Sequence, residues 1–182
     1  MKETFMYRLK AEYLMILAWT ITSPVLKTYY GLLDSSFFGI VGIWATIIGL
    51  SQKYLRKWFS INQLLTMSII FDLIYIIILT YFNIHKDIKD MLIFELILDG
   101  PYMTVVFATI NKLETYYLGR LKPFYQDRIR ANIDNYRLWY SLMGLALGTL
   151  LAMMINVYTL LWIKIILISL GIYLEYKSLR VS

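Results

Sequence analysis

The sequence predicts an all-α membrane protein with six transmembrane helices. The first observation is six long apolar runs, at 13–33, 37–55, 61–82, 91–110, 138–157 and 160–176. Each approaches the ~20 residues a helix needs to cross a ~30 Å hydrocarbon core. The second is composition: 59% hydrophobic and 16% charged residues, where soluble domains carry about 45–50% and about 25%. The third is charge placement. Lys and Arg gather in the N-terminal tail (Lys2, Arg8, Lys10), in turn 51–60 (Lys53, Arg56, Lys57), in stretch 111–136 (Lys112, Arg120, Lys122, Arg128, Arg130) and in the C-terminal tail (Lys177, Arg180). Turns 29–36 and 156–159 have none, and in turn 83–90 Asp87 and Asp90 offset Lys86 and Lys89. Basic residues stay on the cytoplasmic side, so both termini are expected there, in the cytoplasmic membrane.

The first run follows a basic tail, as a signal peptide would. It is too long for a typical h-region and no small-x-small site follows, so it is expected to stay as the first span. It contains Pro24 and, three residues on, Lys27. The second run places Ser35, Gly39, Gly42, Thr46 and Gly49 on one helical face. The third contains Asp72, and the fourth Glu95, Asp99, Gly100 and Pro101. Pro101 removes a helical hydrogen bond, and freed backbone at membrane depth is tolerated where it is buried or lines a wet cavity. Asp99-Gly100-Pro101 is thus either a helix break beside a charge or a true turn. The 111–136 stretch, with Tyr116, Tyr117, Phe124 and Tyr125 among its basic residues and split by Pro123, is expected to be an interfacial cytoplasmic connection or an extension of the fourth span. The fifth run repeats the small-residue face with Ser141, Gly144, Gly148 and Ala152, and the sixth contains Lys164.

Depth orders the charges. At ~1.5 Å per residue, Lys27, Glu95 and Lys164 lie roughly 10 Å inside the outer boundary, with Asp72 and Asp99 near the midplane. An isolated charge there costs roughly 2.5–3.5 kcal/mol, so pairing or water access is expected. Lys27 is the cation expected to approach Glu95 or Asp99, and Lys164 the one placed to snorkel to the boundary. Lys27, Glu95, Asp99 and Asp72 are therefore the candidate pathway residues, with Pro24, Gly100 and Pro101 as helix breaks. Gly39, Gly42, Gly49, Gly144 and Gly148 form candidate assembly faces, because small residues let helix backbones approach closely. Those faces serve either packing inside one bundle or contact with another.

Other chemistry has no support. The chain has no cysteine and one histidine, His85. No phosphate-binding, dinucleotide, zinc-protease or serine-hydrolase motif occurs, so no enzyme activity, cofactor or metal is expected. The net charge of +6 brackets apolar runs rather than forming a nucleic-acid surface.

With six spans, cytoplasmic ends and a short first outer turn, the chain resembles one six-helix half of a major facilitator superfamily transporter. Gln52-Lys53-Tyr54-Leu55-Arg56-Lys57 keeps the basic positions of that family's D-R-x-G-R-[RK] turn and lacks its acid and glycine. Pro123, Arg128 and Arg130, followed by Gly144 and Gly148, resemble its fourth-to-fifth connection. The resemblance implies that the first and fourth helices line a central cavity and that the second and fifth face the other half. The expectation is a half-size transport protein for an unidentified small molecule, working as a homodimer or with a second six-helix half. The alternative is a non-transporting regulatory, immunity or assembly factor.

Overall fold

Local signals start and stop the helices where the turns fall. A computed structural model describes residues 2–181 as α1 (Lys2–Tyr29), a single 3-10 turn (Tyr30–Leu32), α2 (Ser35–Leu50), α3 (Gln52–Trp58), α4 (Ile61–His85), α5 (Ile88–Leu118), α6 (Pro123–Met154) and α7 (Val157–Arg180), with no strand among the described residues. Ser60 and Gln63 form a capping box at the start of α4: the Gln63 amide donates to the Ser60 hydroxyl and the Ser60 amide to the Gln63 side chain. Asp87 and Asn156 accept from backbone amides at the starts of α5 and α7. Pro123 opens α6, where its missing N–H costs no hydrogen bond.

Five helices are long and apolar enough to cross a membrane: Ser35–Trp58 (α2 with α3), α4, α5, α6 and α7. The predicted first span, α1, has the length but not the hydropathy. Position explains this. α1 packs against α5, α6 and α7, so much of its surface faces protein, and residues such as Arg8, Glu12 and Thr22 are buried among neighbours.

The predicted helix breaks at Pro24, Gly100 and Pro101 are not breaks. Both prolines lie inside continuous helices, which also excludes a turn at Asp99-Gly100-Pro101. Pro101 cannot donate to the Ile97 carbonyl, and that oxygen instead accepts the Trp44 indole N–H from α2 at 3.0 Å. One residue away, a Cβ on Gly100 would lie 3.0 Å from Ala45 Cα. The proline therefore marks where α2 docks on α5. Of the two readings of the 111–136 stretch, a separate connection is excluded and the extension of the fourth span is found as far as Leu118. α5 continues to Leu118 and α6 begins at Pro123, leaving a turn at 119–122.

The packing scheme is two-fold. α1 packs on α6 and α7, and α5 packs on α2 and α4. α4 meets α7, and α1 meets α5. Exchanging α1, α2 and α4 for α5, α6 and α7 leaves these pairings unchanged. Phe5 stacks on Tyr117, and Trp19 lies beside Tyr102. α1 and α5 are therefore antiparallel, and the two triplets are inverted relative to one another.

The main core draws on the four central helices, with Met15, Tyr75, Leu79, Leu92, Tyr102 and Leu161 among its residues. A smaller cluster of Phe5, Leu9, Leu65, Leu113 and Ile133 closes the end that holds the start of α1. α2 buries no residue, and α6 buries only Ile133, Gly144 and Gly148. The small-residue faces thus have different fates. A Cβ at Gly144 or Gly148 would overlap Thr20 or the Ile21 backbone on α1, whereas Gly39, Gly42 and Gly49 face open space. As candidate assembly residues, Gly144 and Gly148 are corrected: their face is used inside the chain.

Candidate functional site

Buried polar groups form two linked clusters inside the four-helix centre and a third towards the end that holds the start of α1. In the outer cluster the Lys164 ammonium of α7 is ion-paired with Glu95 of α5. Lys164 is fully buried, and its Nζ sits 3.6 Å from the Trp19 ring centroid. The Tyr75 hydroxyl donates to Asp99 Oδ1 at 2.6 Å and lies 3.1 Å from the Glu95 carbonyl oxygen. An ammonium, a ring face and a carboxylate in low dielectric reinforce one another, because each replaces water that the others lost.

This corrects the expected pairing. Lys27 is exposed and makes no ion pair among the described residues. α1 ends at Tyr29, so Lys27 lies in its last turn, where a cation complements the helix dipole, and not a further turn deeper. Lys164 does not snorkel, because it lies on the buried stripe of α7 that runs through Leu160, Leu161, Ile168, Gly171 and Glu175.

In the middle cluster Asp72 is buried and interacts electrostatically with Tyr102, Glu175 and Arg8. The Ser68 hydroxyl donates to Glu175 at 3.0 Å, and Glu175 is ion-paired with Arg8. Tyr75 and Tyr102, with ring centroids 5.4 Å apart, stand between the outer and middle clusters. Of the four candidate pathway residues, the structure brings Glu95 and Asp99 together, sets Asp72 one cluster below, and leaves Lys27 outside.

The third cluster was not predicted. Arg137 of α6 donates to Glu12 of α1 at 2.8 and 3.3 Å, to Glu114 of α5 at 2.6 Å and to Asp134 at 2.8 Å. One guanidinium thus ties three helices, with its planar fork suited to more than one carboxylate. Arg8 and Glu12 fall just before the first apolar run, and Glu175 lies at the end of the last one. A signal was present, since Arg8 and Glu12 continue the i, i+3/i+4 stripe of Met15, Ala18 and Thr22. Arg137→Gln should lower stability by about 2–3 kcal/mol, because it strands Glu12 without its cation. Thermal unfolding in detergent checks this. Arg137→Lys should recover less than half of the loss, since an ammonium cannot span the three acceptors.

Three clefts adjoin these clusters. A cleft of about 310 Å³ between α1 and α5 is lined by Arg8, Glu12, Trp19, Tyr102, Phe107 and Arg137. A second, about 210 Å³, is lined by Trp19, Thr22, Ser23, Tyr30, Glu95 and Asp99. A third, about 300 Å³, lies between α2 and α5 and includes Gly49, Asp99 and Thr104. Trp19 borders the first two and Asp99 the last two. The Trp19 indole N–H is buried and has no acceptor among the described residues. Asp99 borders two clefts and makes no ion pair among the described residues, while Glu95 borders one and is held by Lys164. Among the described residues no group of acids and histidines could hold a metal ion. Compared with known proteins, the chain matches no family model, no curated protein and no solved structure.

Proposed function

We propose that this chain is one half of a secondary transporter, similar in plan to half of a major facilitator protein, that completes its cavity against a second copy. The observation that carries this is the α1–α5 cleft system, bordered by Trp19 and Asp99 and reaching Glu12 and Arg137. α2 and α6 flank the pair and bury almost nothing. Inverted triplets whose central helices meet at mid-depth charges are the usual plan of such transporters. The open stripe of Gly39, Gly42 and Gly49 supplies a face on which a second copy can approach closely. In this scheme Asp99 carries the substrate or a coupled proton, and Glu95–Lys164 braces the wall beside it. No bond-making chemistry is involved. The small-molecule substrate is unassigned, the membrane is the cytoplasmic one, and both termini face the cytoplasm.

The closed Glu95–Lys164 pair favours a second reading, a non-transporting regulatory or assembly factor, for which buried and mutually satisfied charges suffice. Labelling separates the two, and the cysteine-free chain makes it direct. Under the transporter reading, Asp99→Cys reacts with a membrane-impermeant maleimide added from either side of native membranes, and Gly42→Cys cross-links between copies. No labelling at Asp99→Cys and no bridge at Gly42→Cys would replace the transporter with the regulatory factor.

A further inference from the structure

The structure assigns a phosphodiester-binding site for the headgroup of an anionic membrane phospholipid to the groove between α3 and the cytoplasmic end of α5. The groove is lined by Lys53, Arg56, Lys57, Lys112, Thr115 and Tyr116 and has a volume of about 460 Å³. Segments more than fifty residues apart in sequence converge there, and the convergence is fixed by bonding. The Lys112 ammonium donates to the Arg56 carbonyl at 2.8 Å and to the Phe59 carbonyl, so it caps the end of α3 and locks that helix onto α5.

The charges of the groove are uncompensated. No acidic residue lines it, and none of its four cations is in an ion pair among the described residues. By contrast Arg8, Lys164 and Arg137 are all paired with carboxylates. A fifth cation, Arg120, stands beside the groove, stacked 4.0 Å over the Tyr116 ring. Four cations held together repel one another, and a bound anion relieves that repulsion.

Depth selects the anion. α5 has 31 residues, or ~46 Å of helix against a ~30 Å hydrocarbon core, so Lys112 to Tyr116 emerge at the cytoplasmic headgroup layer. Trp58, 70% exposed, and Tyr54 project from α3. Such rings settle at the membrane–water boundary. The groove therefore opens sideways to headgroups, where anionic lipid is concentrated. This inference stands whether or not the chain transports.

The test is thermal unfolding of the full chain in mild detergent, titrated with phosphatidylglycerol, with phosphatidylcholine or with inorganic phosphate. Phosphatidylglycerol should raise the midpoint of the wild type and phosphatidylcholine should not. In Lys53→Gln/Arg56→Gln/Lys57→Gln the phosphatidylglycerol needed for half the shift should rise roughly 100-fold, from about one tenfold or less per basic residue. Lys122→Gln/Arg128→Gln/Arg130→Gln removes the same charge from the exposed turn before α6 and its first turns, and should keep the wild-type response. Equal loss in both triple variants would mean diffuse attraction and overturn the site. An equal response to phosphatidylcholine would also overturn it. A midpoint rise with phosphate alone, matching that with phosphatidylglycerol, would make it a site for a soluble anion and overturn the lipid assignment.

Discussion

Lys164→Met should destabilise the bundle by about 3–5 kcal/mol, the cost of stranding one partner of a buried ion pair. Methionine keeps most of the volume, so the loss reads charge rather than a cavity. Glu95 would be left with a 6% exposed side chain and no cation, and Trp19 would lose the ammonium from its ring face. Adding Glu95→Gln should return most of the loss, because a neutral amide does not need the partner. Denaturant unfolding of the two single variants and the double in micelles closes the cycle. If Lys164→Met falls within about 0.5 kcal/mol of the wild type, the range of an ordinary surface change, Lys164 is not the cation that holds Glu95.

The positions of these charges along the helices were legible, and their orientation was only partly so. Run lengths gave the long helices, and depth arithmetic put Glu95 level with both Lys27 and Lys164. Choosing between the two cations requires the rotation of each helix. The stripe from Val157 to Ser178 on α7 carries that information, because Lys164 repeats at the spacing of Leu160, Leu161 and Ile168. Lys27 misled because the first apolar run continues to residue 33, while the helix stops at Tyr29 and the chain turns. The Arg137 cluster was hidden for another reason. Glu12, Glu114 and Arg137 are far apart in sequence and lie at the edges of apolar runs, where charged residues normally meet water. Only the packing of α1 with α5 and α6 puts them together. At Pro101 the sequence did show a freed Ile97 carbonyl. That Trp44 would take it could not be read without knowing that α2 lies on α5.

The two small-residue stripes both follow three- and four-residue helical spacing but have opposite surroundings, so substitution should separate them sharply. Gly148→Leu should cost about 3 kcal/mol or more, since overpacking a tight contact forces backbone shifts. The obstacle is the Ile21 carbonyl of α1, and a main-chain atom cannot rotate away. Gly144 meets the Thr20 side chain, which can turn, so Gly144→Ala should be milder than Gly148→Ala. Gly42→Leu fills open space and should change the stability of the isolated chain by less than about 0.5 kcal/mol. In the half-transporter scheme Gly42→Leu instead weakens association between copies, read as a shift toward the monomer in native membranes at unchanged monomer stability. A stable Gly148→Leu chain with α6 still packed on α1 would contradict the close contact. An unaltered dimer in Gly42→Leu would remove the α2 stripe from the interface and leave a second copy no small-residue face by which to approach.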